Sequence, residues 1–237
     1  MRQIHLLDPP VPPVPAAVEL HLADVEAVLQ ELPESSADLV VADPPWELYR
    51  ERPGVAAPDG RYPVLGEAEI GAHLAAAVKV LRPGGRLALW TCWPLLVAAL
   101  AGPKPPWLRV PWLTWRTGGA WSKGGPPGVG FHWRGHSEPV LVGVRHGPAG
   151  RARGIVRSGW HSTAREHSRK PAEWMAEWVA AWVPPGGLVV DLYAGLGPVA
   201  EAVLLAGDGR RYVGAEIDPE RHGAALAAVA RCRPLTL

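Results

Sequence analysis

Hydrophobic and polar positions along the chain fall into two rhythms. Val18-Glu19-Leu20-His21-Leu22 alternates, which predicts a strand with one covered face. Val25, Val28, Leu29 and Leu32 recur at helical spacing until Pro33 stops them. Leu39-Val40-Val41-Ala42 is continuously apolar, as in a strand buried on both faces. Glu67 to Leu81 reads as an amphipathic helix closed by Arg82-Pro83-Gly84-Gly85, with Arg86 to Trp90 as the next strand. Residues 102–116, rich in Trp and Pro, predict one strand near Trp112 to Trp115. Thr117 to Gly130 holds Gly118, Gly119, Gly124, Gly125, Gly128 and Gly130 and is expected to be a mobile loop. A strand is expected from Pro139 to Val144. Pro171 opens a helix whose apolar stripe is Trp174, Met175, Trp178, Val179 and Trp182. Leu188-Val189-Val190 then predicts a strand, 199–206 a helix, Arg211 to Glu216 a strand and 219–231 a last helix. Helix–strand alternation implies right-handed crossovers and a mostly parallel sheet, an α/β fold.

Composition narrows the class. A chain of 237 residues, 48% hydrophobic and 20% charged, suits one large globular domain with a real core. No run of about 18 apolar residues predicts a membrane span, and the N-terminus lacks a signal-peptide core. Cys92 and Cys232 are far apart without metal-ligand spacing, and a cytoplasmic setting fits them. His132 and His136 lack a third ligand at suitable spacing, so no metal is expected. Residues 1–16 carry Pro9, Pro10, Pro12, Pro13 and Pro15 and read as an extended proline-rich arm. The remainder, 17–237, is expected to be a single domain.

The formal net charge is only +1, yet the charge is unevenly placed. Between Arg145 and Lys170 stand seven cations, Arg145, Arg151, Arg153, Arg157, Arg165, Arg169 and Lys170, against Glu166 alone. Such a local excess suits backbone phosphates, whose condensed counterions are released on binding.

Candidate chemistry concentrates where strands end. Asp43-Pro44-Pro45-Trp46 follows the apolar run 39–42. The prolines stop the ladder and fix an extended turn, at the strand end where open α/β sheets bind ligands. The turn offers a carboxylate, a backbone carbonyl and a flat aromatic, groups that suit a planar base with an exocyclic amine. Asp8-Pro9-Pro10 repeats the tripeptide but leads only into the arm, so the tripeptide alone says little. The second constellation is Asp191-Leu192-Tyr193-Ala194-Gly195-Leu196-Gly197-Pro198, a strand turning through glycines into a helix. Glu216, 19 positions beyond Gly197, ends the next strand, where an acid binds ribose hydroxyls. That spacing also fits a nicotinamide or flavin enzyme, although only two glycines of the dinucleotide fingerprint are present.

The tetrad Asp43-Pro44-Pro45-Trp46 resembles the signature of the amino-methyltransferases that methylate adenine N6, a family of bacterial and phage DNA enzymes and mRNA adenosine enzymes. Asp191-x-Tyr193-x-Gly195-x-Gly197 resembles that family's S-adenosylmethionine (SAM) motif, with Tyr where Phe is usual and Pro198 where a hydroxyl residue is usual. His167-Ser168-Arg169-Lys170-Pro171 resembles the segment whose Lys meets the methionine carboxylate of SAM, and Phe131 to Glu138 the aromatic, Arg and His-x-Glu segment before the last strands. Asp24 fits a helix N-cap, and by resemblance also the acid that receives the cofactor's adenine amine. The order of the motifs resembles the circularly permuted β group. The resemblance implies a Rossmann-like, mostly parallel seven-stranded sheet with helices on both faces, divided into a catalytic half (17–144), a short basic target-recognition insert (145–166) and a cofactor half (167–237). It implies SAM as cofactor, Asp43, Pro44, Pro45 and Trp46 as the catalytic group, and Asp24, Lys170, Asp191, Tyr193, Gly195, Gly197 and Glu216 as the cofactor site. Lys123, Arg134, Arg151, Arg153, Arg157 and Arg165 are the candidates for nucleic-acid contact, with DNA favoured over RNA, and a homodimer is compatible with the reading. Cytosine N4, adenosine in RNA, and an inactive methyltransferase-like nucleic-acid-binding subunit stay open as alternatives.

Overall fold

A computed structural model of the chain describes residues 15, 17–46, 64–124, 137–148, 156–162 and 169–232. The proline-rich arm apart from Pro15, residues 47–63 after Trp46, and Arg134, Arg151, Arg153 and Arg165 lie outside the described residues.

Eight strands form one sheet. In chain order the elements are β1 (Val18–Leu22), α1 (Val25–Glu31), β2 (Ala37–Ala42), α2 (Glu67–Val80), β3 (Leu81–Trp90), α3 (Trp93–Ala101), a 3-10 turn at Pro106–Leu108, β4 (Leu113–Ser122), β5 (Ser137–Arg145), β6 (Gly159–His161), α4 (Ala172–Trp182), β7 (Leu188–Asp191), α5 (Pro198–Ala206), β8 (Arg211–Glu216) and α6 (Pro219–Arg231). The spatial order is β1-β8-β7-β2-β3-β5-β4-β6. Neighbours are parallel from β1 through β3, and β5 alone runs against the rest, since both β3 and β4 pair with it antiparallel and β6 is parallel to β4.

The period of two along the central strands builds two cores. Val40, Ala42, Leu87, Leu89 and Val190 face a layer containing Val25, Val28, Ile70, Leu74 and Trp107. Leu39, Val41, Ala88, Trp90 and Val189 face the other, with Trp174, Met175, Trp178, Val199 and Val203. Helices therefore cover both faces, as expected for a strand set that is apolar without interruption.

Three sequence expectations change. The sheet has eight described strands, not seven, because three residues within the basic stretch, Gly159–His161, add an edge strand beside β4. Thr117–Ser122 belongs to β4 rather than to a glycine loop. The glycines there serve close packing: a Cβ on Gly118 would sit 2.7 Å from the Val140 carbonyl oxygen, and one on Gly119 2.6 Å from that of Ser158. Finally, β3 begins at Leu81, which pairs with Ala37 before the register shifts and Arg86 pairs with Leu39. Helix α3, which no sequence pattern announced, has no fully buried residue although it is apolar throughout. Among the described residues no helix is long and apolar enough to cross a membrane.

Candidate active site

The strand order reverses between β2 and β7. From β2 the chain crosses through α2 to β3 on one side, and from β7 through α5 to β8 on the other. The carboxyl ends of two adjacent strands diverge there, which opens a crevice. A cleft of about 550 Å³ occupies it, and Asp24, Asp43, Pro44, Lys170, Asp191 and Glu216 all line it. Both constellations read from the sequence thus meet in one cavity. The Leu192 amide donates to the Val41 carbonyl at 3.0 Å and ties the two strand ends together.

Asp43 leaves β2 at a point where Pro44 and Pro45 have no N–H to continue the ladder. The Pro45 carbonyl accepts from the Leu65 amide at 2.9 Å, and among the described residues no donor is bonded to the Pro44 carbonyl. Lys170, just before α4, donates to Asp43 Oδ2 at 2.6 Å and lies 3.0 Å from Glu138 Oε2 on β5. Lys123, at the end of β4, pairs with the other oxygen of Glu138. Four charges from four separate parts of the chain thus alternate in sign along one cluster. The Lys170 ammonium also stands 5.1 Å from the Trp90 ring centroid and 5.9 Å from that of Trp121.

The electrostatics follow. Depth in the cleft raises the Asp43 carboxyl, Lys170 opposes this, and Glu138 adds to it; the net direction is up, although 38% of the side chain faces the cavity. Burial would raise Glu138 as well, but Lys170 and Lys123 outweigh it and hold that carboxyl below its usual range. For Lys170, burial favours the neutral amine, yet two carboxylates reverse it and keep the ammonium charged.

On the opposite wall of the cleft, Gly197 adopts φ +79° as the N-cap of α5, a conformation that favours glycine, with Pro198 at the first turn. Glu216 accepts the Gly195 amide at 2.7 Å and the Asp218 amide at 2.8 Å, so it fixes the glycine turn from the end of β8. Asp24 caps α1 through the Glu26 amide at 2.8 Å and lines the cleft, so the capping reading holds and a second role is compatible with it. The Tyr193 hydroxyl meets His73 Nδ1 at 2.8 Å.

Asp191 is 2% exposed, and accepts from the Tyr212 hydroxyl at 3.1 Å and the Tyr193 amide at 3.3 Å. Burial pushes its carboxyl up to about 7, against those two hydrogen bonds. An acid raised on folding binds its proton more tightly in the native state. Its contribution to stability is therefore largest near pH 4 and declines as pH rises to about 7, by on the order of 4 kcal/mol. Urea unfolding of the ligand-free protein at pH 5 and pH 8 is expected to show this decline, and Asp191→Asn, whose one oxygen can keep the Tyr193 amide while its NH2 donates to the Tyr212 hydroxyl oxygen, is expected to flatten it.

The structure shows the surroundings of the other candidate residues. Trp46 is only 3% exposed: its indole N–H donates to the Trp90 carbonyl at 3.2 Å and its ring packs edge-on against Trp107 at 5.4 Å. It gives the cleft little face on which a base could stack. Lys123 lies in the cleft on Glu138 and stands over Trp121, rather than on an outer phosphate track. Arg157, 61% exposed, is paired with Glu177 and lies over Trp160. Arg145 donates to Ser35, to the Lys79 carbonyl at the end of α2 and to the Leu81 carbonyl, and Arg169 pairs with Glu201. Four of the seven cations in the basic stretch, these three and Lys170, are therefore engaged within the protein. Glu138 was visible in the sequence only as the acid of a His-x-Glu run, and nothing there marked Thr91, which also lines the cleft.

No protein-family model and no curated protein matches the chain. Solved structures do. TTHA0409 of Thermus thermophilus, described as a putative DNA modification methylase, matches with a TM-score of 0.69 and 22% identity over 92% of this chain and 96% of that one; the same protein complexed with S-adenosyl-L-methionine gives 0.68 and 20% over 90% and 94%. The M1.HpyAVI–SAM complex gives 0.62 and 16% over 88% and 97%. PvuII DNA methyltransferase, cytosine-N4-specific, gives 0.66 and 14% over 95% and 90%. At these identities the likeness is one of fold, and it runs almost end to end.

Proposed function

We propose that the chain is a SAM-dependent DNA methyltransferase that acts on the exocyclic N6 amine of adenine. The observation that carries this reading is the single cleft at the switch point, in which Asp43, bound to Lys170, lies in the same cavity as Glu216 and the glycine turn. A nicotinamide enzyme would account for the second half of that cavity but not for the first. Structural neighbours named as DNA methylases, and two neighbours complexed with SAM, support the same direction.

The residues present fit the cofactor. Glu216 stands at a strand end where ribose hydroxyls are bound, and each of its oxygens has accepting capacity beyond one backbone amide. Ile217, half exposed beside it, offers apolar surface for a purine, with Asp24 nearby on the cleft wall for the purine amine. Lys170 uses two of its three donors on Asp43 and Glu138, which leaves the third for the methionine carboxylate. SAM supplies an electrophilic methyl group on its sulfonium sulfur. Glu216→Gln is expected to weaken SAM binding about 10- to 100-fold by calorimetry, since a charged acceptor is lost; unchanged affinity would remove Glu216 from the site.

Adenine leaves its stack and enters the cleft. Asp43 and the Pro44 carbonyl accept hydrogen bonds from its amine, which withdraws the nitrogen lone pair from conjugation and favours the positive charge that develops. The nitrogen–methyl bond forms as the carbon–sulfur bond breaks, and the sulfur keeps the electron pair. The nitrogen then loses a proton, for which Asp43, its carboxyl raised by depth, is a ready acceptor. Trp46 holds the Pro44-Pro45 turn against the core. Arg134, Arg151, Arg153 and Arg165 are assigned to phosphates, with Arg157 available by exchange from Glu177. Cytosine N4 presents the same amine beside a ring nitrogen, and the PvuII neighbour is cytosine-specific. Incubation with methyl-labelled SAM and double-stranded DNA, single-stranded DNA or RNA, followed by digestion to nucleosides, separates the readings. Label in N6-methyladenine from DNA is the expected result; label in N4-methylcytosine, or only from RNA, overturns the assignment.

A further inference from the structure

We propose that the Thr91 hydroxyl reads the target base, by donating a hydrogen bond to the ring nitrogen that flanks the reacting amine. The proposal rests on the methyltransferase reading of the cleft and adds a residue to it. Thr91 follows β3, and β3 runs parallel to β2 with Leu89 opposite Ala42. Continued two residues, that register sets Thr91 opposite Pro44. Its amide donates to the Pro139 carbonyl at 3.0 Å, next to Glu138, so its backbone is fixed between the catalytic turn and the charge cluster.

The side chain is 4% exposed and lines the cleft, yet its Oγ1 has no hydrogen-bond partner among the described residues. A buried hydroxyl without a partner is a cost to the folded protein, and native proteins satisfy nearly all such groups. Two other side chains share the condition. Ser36 precedes β2 at the opposite end of the sheet from the cleft, and the Trp90 indole N–H is locked in a ring of tryptophans beneath Lys170. Thr91 alone combines a rotatable donor with a position beside Asp43.

The chemistry of the base explains what that donor meets. Asp43 and the Pro44 carbonyl are acceptors and engage only the amine. In adenine, the amine lies between two ring acceptors, N1 and N7. A donor beside Asp43 completes the recognition of an amine next to a bare ring nitrogen, while Asp43 and the Pro44 carbonyl, acceptors only, disfavour the oxo group of guanine or thymine. Rotation about Cα–Cβ turns the hydroxyl to the base as it arrives, and the bond also orients the amine for attack.

The test uses the full-length protein and three variants of one DNA substrate, with adenine, 1-deazaadenine or 7-deazaadenine at the target position. Thr91→Val keeps the shape and removes the hydroxyl; Thr91→Ser keeps the hydroxyl. The expected result is that Thr91→Val unfolds at the same urea concentration as wild type or a higher one, binds SAM equally, and loses about 10- to 100-fold in kcat/KM on adenine. On one of the two deaza substrates that loss should vanish, because the acceptor is gone, and Thr91→Ser should restore the rate on adenine. Equal losses on all three substrates would overturn the proposal and leave Thr91 a packing residue. A wild-type protein that methylates cytosine but not adenine refutes the proposed base while moving the same test to 3-deazacytosine, where a persistent loss overturns the proposal. A wild type that transfers no label to any base overturns both readings.

Discussion

Asp43→Asn is expected to lower methyl transfer by about 100- to 1,000-fold while SAM binding stays within a few-fold of wild type. The expectation follows from a difference between two acceptors and one. A carboxylate can accept from Lys170 and from the substrate amine at once, whereas an asparagine turned to keep its oxygen on Lys170 presents an NH2 to an NH2. The Lys170 ammonium keeps Glu138 in the variant, so no buried cation is stranded and the fold should hold. Asp43→Ala should reduce transfer at least as far. Single-turnover rates with saturating SAM, together with calorimetric SAM affinity, separate loss of chemistry from loss of cofactor. Wild-type rates in either variant would sink the mechanism.

The second large effect concerns stability. Lys170→Met is expected to destabilise the protein by about 3–5 kcal/mol, since it leaves Asp43 and Glu138 facing each other in the cleft without the cation between them. The pH dependence carries the sign of this explanation. In wild type, Glu138 has a depressed carboxyl, so it contributes stability above its unfolded pKa that is lost as acid protonates it. Without Lys170, burial and the Glu138 charge push the Asp43 carboxyl further up, while Lys123 still opposes the rise of Glu138, and the variant should lose stability as pH rises from about 4 toward 7. The deficit measured by urea unfolding should therefore be smaller at pH 5 than at pH 8. A loss under about 1 kcal/mol, equal at both pH values, would mean that Lys170 is a solvated surface charge.

These two predictions depend on a contact that no local pattern could disclose. Lys170 and Asp43 are 127 positions apart, and Glu138 and Lys123 reach the same point from β5 and the end of β4. By resemblance Lys170 belongs to the cofactor, and folding brings it onto Asp43 as well. The basic stretch misleads for a related reason. Counting charge on a segment assumes that its partners are outside the protein. Arg145 instead caps α2, Arg157 meets Glu177 and Arg169 meets Glu201, all across tertiary distances. The glycines of 117–122 suggest freedom and instead permit contact, because Gly118 and Gly119 are where neighbouring backbones come closest.

What the sequence determined by itself is the local grammar. Continuous apolar runs at 39–42 and 188–190 made buried strands, helical spacing made α1, α2, α4 and α6, and Pro44 and Gly197 marked where strand ends become turns. Those are short-range effects of sterics, side-chain period and missing donors, and they are written in neighbouring residues. The tertiary structure decided which ends meet. It set β2 beside β7, so that Asp43 and Asp191 share one cleft; it buried the Trp46 ring that the sequence offered as a stacking face; and it left the Thr91 hydroxyl without a partner among the described residues. Burial, charge pairing and hydrogen-bond satisfaction are properties of residues far apart in the chain, and only the packed sheet brings them into contact.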